Sequence, residues 1–234
     1  MKQNQNFNSL LERLARTKGI RNVFVDLVDA VLYGLIVQDR GNFARNPINE
    51  YNEQEQEEFK ALMIELGGIM EYDGMGMYDA LGDIFMEHLS YGKNGQFFTP
   101  QCISDMMALM SVPGAKDGQT VLDCACGSGR MLLAAAKINR HLKFYAADID
   151  LLCVKMTALN LCLNSLRGEV AHMNALSMEH YGSLFIHYCP FTKIPYIITT
   201  PAKETSMIER ISKTFEQQPE KREEVKQYIQ QSLF

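Results

Sequence analysis

The residues whose types and spacing could support chemistry lie in one short stretch, VLDCACGSGRMLLAAA, at positions 121–136. An apolar run that ends at Asp123 predicts a β-strand, and the residues from Arg130 onward predict a helix. Between them, Gly127 and Gly129 predict a tight turn whose backbone can approach a ligand closely, because glycine has no Cβ. A strand, a glycine-rich turn and a helix in this order are typical of a cofactor-binding unit.

The charge beside this turn indicates the kind of ligand. Asp123 stands at the mouth of the turn, where its carboxylate would repel the pyrophosphate of a dinucleotide. S-adenosylmethionine instead carries an ammonium and a sulfonium group, which a carboxylate attracts. Asp148 ends the next predicted strand, where an acid can hydrogen-bond both hydroxyls of a ribose. One ligand, S-adenosylmethionine, would therefore account for both acids and for the glycines.

Two other interpretations of the turn stay open. In the first, Asp123 caps a helix, and the glycines only allow the strand and the helix to pack together. In the second, the turn binds a nicotinamide cofactor, as many glycine-rich turns do. The charge of Asp123 disfavours this ligand, and Leu132 stands where the dinucleotide fingerprint has its third glycine.

The elements that must position these residues are strands that alternate with helices. The predicted strands cover residues 120–123, 144–147, 170–173 and 196–199, and the helices between them cover 130–139 and 151–166. This alternation predicts an α/β fold with a Rossmann-like parallel sheet that helices cover on both faces.

Another helix is predicted after the loop GKNGQFFTP, with Thr99 as its N-cap and Pro100 at its first helical position. The spacing of its apolar residues predicts that one face points into the core. The residues expected on that face are Ile103, Met106, Met107 and Met110.

The chain is expected to consist of three parts. Apolar residues at helical spacing in 10–36, 57–70 and 78–89 predict an N-terminal helical domain over residues 1–90. Residues 91–204 would form the S-adenosylmethionine-binding domain. Residues 205–234 are rich in charge and predict a C-terminal helical tail with a thin apolar stripe, which favours an exposed or partner-facing helix.

Composition limits the function classes. The net charge is −5, so a strongly basic surface for nucleic acid is absent overall, although a local basic face is compatible with it. The six cysteines form no CxxC pair, and the polar N-terminus resembles no signal peptide, which favours reduced thiols in a cytoplasmic protein. The apolar stretch 23–37 is too short and too charged to span a bilayer. The histidines lack metal-ligand spacing, so no metal site is expected.

Five segments together carry a family resemblance. They are DALGDIFMEHL (79–89), GQFFTP (95–100), VLDCACGSGRML (121–132), AADID (146–150) and NAL (174–176). In this order they resemble the motifs of N6-adenine DNA methyltransferases, and most of all the modification subunit of type I restriction–modification systems. The resemblance implies S-adenosylmethionine as cofactor, and DNA and a specificity subunit or another protein subunit as partners.

The resemblance also implies roles for individual residues. The GQFFTP loop and the glycine-rich turn would close over the methionine part of the cofactor, the acid after the second strand would hold the ribose, and the polar residue after the third strand would contact the adenine ring. The implied cofactor-binding residues are Gln96, Phe98, Thr99, Pro100, Asp123, Ala125, Cys126, Gly127, Gly129, Asp148 and Asn174.

The chain departs from the family at the fourth predicted strand. The family has Asn/Asp-Pro-Pro and an aromatic residue there, which hold the flipped base in line with the sulfonium. Here Thr199, Thr200 and Pro201 stand at the catalytic position, followed by Ala202. About thirty residues follow, so the sheet is expected to be shorter than in the family.

Three functions are compatible with this pattern. The first is a DNA adenine N6-methyltransferase, or a subunit of one. The second is a relative that binds the cofactor without catalysis and has an interaction or regulatory role. The third is methylation of another substrate through a different pocket.

Overall fold

The computed structural model describes residues 2–38, 41–72, 75–89, 97–189, 191–192 and 194–201. These residues form an α/β structure in which a five-stranded sheet packs against a group of helices. The helices are α1 (Lys2–Lys18), α2 (Ile20–Leu35), α3 (Glu53–Glu71), α4 (Ala80–His88), α5 (Gln101–Ser111), α6 (Arg130–Ile138) and α7 (Leu151–Leu163). The strands are β1 (Thr120–Asp123), β2 (Lys143–Asp148), β3 (Gly168–Asn174), β4 (Glu179–Tyr188) and β5 (Pro195–Pro201).

The N-terminal helices form as their apolar spacing predicts. Leu11 and Leu14 of α1 and Leu62 of α3 are buried where these helices pack together. The third helix begins four residues before its predicted start, because Asn52 and Glu55 form a capping box that satisfies backbone N–H groups at its first turn.

The sheet is mixed, and the prediction of an all-parallel sheet is wrong. Its strands lie in the order β1-β2-β3-β4-β5. The first three pair in parallel, while β4 pairs antiparallel with both β3 and β5. The error comes from β4, which sequence reasoning missed because Gly182 and Ser183 interrupt its apolar residues and look like a turn.

The two crossover helices cover one face of the sheet. The strands β1, β2 and β3 are neighbours in chain order, so right-handed connections place α6 and α7 on the same side. Phe144, Leu184 and Ile197 are buried on the face that carries α7. Leu122 points to the other face and is 48% exposed. The predicted cover of both faces by crossover helices is therefore not found in the ranges that the structure describes.

Helix α5 is oriented opposite to the prediction. It packs against α6 through small residues, of which Ser104 and Ala108 are buried. The four residues predicted to face the core are each at least 40% exposed: Ile103, Met106, Met107 and Met110. Helical spacing correctly found an apolar face, but only the neighbouring element decides which face is covered. The helix also begins one residue later than predicted, with Pro100 instead of Thr99 as its N-cap.

One core runs through the helices and the sheet. Buried residues from Phe7 in α1 to Ile197 in β5 belong to a single apolar cluster. The proposed boundary near residue 90 falls at residues 90–96, outside the described part, and the division into three parts stays a prediction. The predicted helical tail also lies outside the described residues. Within the described ranges, no helix is long and apolar enough to cross a membrane.

Candidate functional site

Three polar residues lie together at one edge of the sheet. Asp123, Asp148 and Asn174 are the last residues of β1, β2 and β3, and these neighbouring strands run in parallel. Their carboxyl ends therefore meet at the same edge, which is where open α/β sheets bind ligands. The sequence prediction that these three residues share a site is consistent with this placement.

The glycine-rich turn takes a backbone conformation that glycine favours. Gly127 has φ 55° and Gly129 has φ 84°, both in the left-handed region. A Cβ at Gly127 would lie 2.9 Å from the Phe98 ring, and a Cβ at Gly129 would lie 2.9 Å from a methyl group of Thr157. The turn is therefore packed too closely for other residues at either position.

The Asp148 carboxylate holds the turn from the neighbouring strand. Its Oδ2 accepts a hydrogen bond from the Gly127 N–H at 2.9 Å, and its Oδ1 accepts one from the Asp150 N–H at 2.9 Å. Each carboxylate oxygen can accept more than one hydrogen bond, so this arrangement leaves acceptor capacity for the hydroxyls of a ligand.

Asp123 lies in a partly buried position beside the turn. Burial raises the pKa of its carboxyl above the ordinary value of 3.8, and the charge of Asp148 raises it further, against a hydrogen bond from the Ala125 N–H. The two neighbouring carboxylates make this edge of the sheet attractive to a cation.

Cys126 directly precedes Gly127 in the turn and is buried. Its side chain is 5% exposed, and its N–H donates to the Ala147 carbonyl at 3.0 Å. Burial raises the pKa of its thiol strongly, so the group is a neutral packing residue and not a thiolate nucleophile.

The loop before α5 reaches the turn through Phe98. The Phe98 ring lies against Gly127 on one side and 4.9 Å from the Phe85 ring of α4 on the other. The Thr99 carbonyl accepts a hydrogen bond of 3.4 Å from Arg130. Phe98 and Thr99 thus lie near the turn as predicted, Pro100 is the exposed N-cap of α5, and Gln96 lies outside the described residues.

Asn174 uses its side-chain oxygen within its own loop. Its Oδ1 accepts hydrogen bonds from the N–H groups of Leu176 and Ser177, at 3.0 Å and 3.2 Å. The family resemblance implies only that this side chain contacts an adenine ring. With two hydrogen bonds on its oxygen, the Asn174 side chain has its amide nitrogen as the group that can donate to a further partner.

Sequence reasoning missed the residues outside the glycine-rich turn that hydrogen-bond to it. Thr157 of α7 donates to the Gly127 carbonyl at 2.9 Å, and Asn160, one helical turn further, donates to the Ser128 carbonyl at 2.8 Å. Asp79 of the α4 N-terminus contacts the same turn. The available signal was the spacing i and i+3 of Thr157 and Asn160 in a helix whose only other polar residue is Lys155, since polar residues are buried only when they have partners.

The structure does not bring the candidate catalytic residues to this turn. Thr199, Thr200 and Pro201 end β5, and β3 and β4 separate them from β2. Three strand spacings correspond to about 14 Å. Thr200 is 9% exposed and lies opposite Ser183 of β4.

The chain resembles known proteins over most of this region. The sequence model of the family described as N-6 DNA Methylase matches residues 76–230. The type I restriction enzyme MpnII methylase subunit of Mycoplasma pneumoniae is 31% identical over 113 residues, which are 43% of this chain and 20% of that protein. The type I restriction enzyme MjaVIII methylase subunit of Methanocaldococcus jannaschii is 41% identical over 61 residues, or 24% of this chain and 10% of that protein.

A solved structure is also similar. The type I restriction–modification system methyltransferase subunit from Streptococcus thermophilus gives a TM-score of 0.37 at 21% sequence identity, over 68% of this chain and 36% of that chain. The chain thus spans far less than the full length of each of these relatives.

Proposed function

Because this chain belongs to the N-6 DNA Methylase family, we propose that it is the S-adenosylmethionine-binding part of a DNA adenine N6-methyltransferase. By its resemblance, this enzyme would be a modification subunit of a type I restriction–modification system. The observation that carries the proposal is the meeting of Asp123, Asp148 and Asn174 at the carboxyl ends of three parallel strands. The glycine-rich turn follows the first of these strands.

The residues at this edge suit the cofactor by their chemistry. Asp123 supplies negative charge for an ammonium or sulfonium group, and Asp148 supplies acceptors for ribose hydroxyls. Asn174 can contact the adenine ring. Phe98, just before α5, packs against Gly127 of the turn. When bound, S-adenosylmethionine would supply a methyl group on a positively charged sulfur, which an amine can attack directly.

The part of this chain in catalysis is to hold the reacting groups in line. Transfer to the N6 amine requires a flipped adenine within a few ångströms of the methyl group and no covalent intermediate with the protein. Thr199, Thr200 and Pro201 end β5, which lies about 14 Å from β2, so a base held by these residues would have to span that distance to the cofactor. Their catalytic role therefore stays a prediction. DNA and a specificity subunit are the proposed partners, and a cytoplasmic location is proposed because the cysteine spacing favours reduced thiols.

One experiment separates cofactor binding from chemistry. S-adenosylmethionine is titrated into the chain by calorimetry, and the same sample is incubated with adenine-containing DNA and cofactor labelled in its methyl group. We expect saturable binding and label on the N6 position of adenine. Binding without transfer would support the catalytically inactive alternative, and an absence of binding would contradict both.

The affinity for S-adenosylmethionine should depend on pH through Asp123. Its pKa is raised in the free protein, mainly by burial, and a cation bound beside it would lower that pKa. Binding therefore releases a proton, and the affinity should fall as the pH drops through the raised pKa of Asp123. Calorimetric titrations between about pH 4 and pH 8 would measure this.

The matched control is Asp123→Asn. We expect this variant to bind S-adenosylmethionine more weakly, and to lack the acid-side decline that Asp123 causes. A wild-type affinity that stays constant down to the lowest pH would show that Asp123 does not face the charged part of the cofactor.

A further inference from the structure

Asp79 is a fully buried carboxylate at the start of α4, and four donors surround it. It accepts hydrogen bonds from the Gly82 N–H at 2.8 Å, the Ser128 hydroxyl at 2.5 Å, Arg130 Nε at 2.8 Å and Asn160 Nδ2 at 2.8 Å. Its exposed fraction is 0%. A buried charge is tolerated only when it is paired and hydrogen-bonded, and Asp79 meets both conditions.

One of these donors belongs to the glycine-rich turn, and a second follows the turn directly. Ser128 is the middle residue of Gly-Ser-Gly, and Arg130 is the first residue of α6. A third donor, Asn160, also binds the Ser128 carbonyl at 2.8 Å. Asp79 therefore fixes the Ser128 side chain directly and the Ser128 peptide group through Asn160.

Arg130 extends the same network to the loop before α5. Its Nη1 donates to the Thr99 carbonyl at 3.4 Å, and its Nη2 pairs with Asp83. Burial works against the charge of Arg130, but the carboxylates of Asp79 and Asp83 outweigh it and raise the Arg130 pKa. One buried carboxylate thus reaches both segments that are expected to enclose the cofactor.

We propose that Asp79 is a positioning residue for cofactor binding, which holds the glycine-rich turn and Thr99, just before α5, in their binding-competent arrangement. This inference rests on the proposed function and deepens it. Asp79 would not touch the cofactor; it acts through Ser128, Arg130 and Asn160. The helical region before residue 90 would then take part in cofactor binding as well as in the core.

Gly82 provides the sharpest test of this role. A Cβ at Gly82 would lie 2.0 Å from Asp79 Oδ2 and 2.6 Å from Ser128 Oγ, so Gly82→Ala must displace this contact. The variant leaves every charge in place, and alanine favours the helix more than glycine does. The matched control is Gly67→Ala in α3, where an added Cβ meets no atom within 4 Å.

The measurement is the affinity for S-adenosylhomocysteine and for adenosine, by calorimetry and by competition. We expect Gly82→Ala to weaken S-adenosylhomocysteine binding at least tenfold and adenosine binding less than twofold, because adenosine lacks the amino-acid part over which the turn is expected to close. Gly67→Ala should match the wild type for both ligands. Equal losses for both ligands, or no loss for either, would overturn the positioning role.

A second pair of variants covers the case in which Gly82→Ala does not fold. Asp79→Asn removes the charge and places an amide N–H against two donors in either orientation, Gly82 N–H and Asn160 or Ser128 and Arg130, while Asp83→Asn changes another partner of Arg130 that does not contact the turn. We expect the tenfold loss of S-adenosylhomocysteine affinity only for Asp79→Asn. Equal losses in the two variants would assign the effect to Arg130 alone and contradict the inference.

Hydrogen exchange separates failure of this inference from failure of the proposed function. If the wild type binds no S-adenosylmethionine, the proposed function fails. Amide exchange across residues 125–130 still tests Asp79, because loss of its contacts should accelerate exchange there in Gly82→Ala and not in Gly67→Ala. Unchanged exchange in this turn would show that Asp79 does not hold it.

Discussion

Replacing Asp148 with alanine is expected to weaken S-adenosylmethionine binding by at least about 100-fold. The substitution removes two kinds of interaction at once. The Gly127 N–H loses its acceptor at 2.9 Å, so the turn loses its link to β2. The ribose hydroxyls lose a charged acceptor, and hydrogen bonds to charged groups contribute about 1.5–3 kcal/mol each. Calorimetric titration of the wild type and of Asp148→Ala measures the difference.

Asp150→Asn is the matched control for this prediction. Asp150 lies two residues away and caps α7 by accepting a hydrogen bond from the Leu152 N–H at 2.8 Å. Asparagine serves equally well at an N-cap, so this variant removes a nearby negative charge and keeps the local structure. We expect its affinity to lie within about threefold of the wild type. If Asp148→Ala also stays in that range, Asp148 does not bind the ribose.

Of the substitutions proposed for this protein, Lys155→Met is expected to lower the free energy of unfolding most. Lys155 Nζ of α7 pairs with Asp29 Oδ1 of α2 at 2.6 Å, and the two side chains are 10% and 5% exposed. Breaking a buried ion pair leaves an uncompensated charge. We expect a loss of about 3 kcal/mol, at the lower end of the usual range, since Arg45 stays 3.6 Å from Asp29. Urea unfolding of both proteins gives the value.

The pH dependence of this loss follows from Asp29. Burial raises the pKa of Asp29 above 3.8 even though Lys155 lowers it, so removal of Lys155 raises this pKa further. A raised pKa in the folded state means that folding takes up a proton, and the contribution of Asp29 becomes more favourable as the pH falls. The stability deficit of Lys155→Met should therefore be smaller at about pH 5 than at about pH 7.

A double variant supplies the control. Asp29→Leu with Lys155→Met removes both charges and leaves an apolar contact between α2 and α7. We expect it to recover most of the lost stability, because replacing a whole buried ion pair by apolar groups is often neutral. A double variant as unstable as Lys155→Met would show that shape, and not the unpaired charge of Asp29, causes the loss.

The sequence was most informative where function depends on strand ends. Asp123, Asp148 and Asn174 could be predicted to lie together, because each ends an apolar run and parallel strands share an edge. Local patterns were sufficient to predict this placement, because the segment from β1 to β3 consists of strands that alternate with the helices α6 and α7.

The rest depended on contacts between distant parts of the chain. The spacing in α5 shows an apolar face, but the packing of Ser104 and Ala108 on α6 turned that face outward. The contact of Asp79 with Asn160 joins residues 81 positions apart, and no local pattern indicates it. Likewise, the glycine and serine of β4 look like a turn in the sequence. This strand lies between β3 and β5, so β5 is further from the glycine-rich turn.

The ion pair between α2 and α7 also has a consequence for folding during translation. Lys155 follows Asp29 by 126 positions. At bacterial or eukaryotic synthesis rates of roughly 5–20 residues per second, the lysine follows the aspartate by about 6–25 s. Throughout that interval the nascent N-terminal helices carry an acid without its main partner. We therefore expect α1, α2 and α3 to reach their final packing on the ribosome only after α7 has emerged.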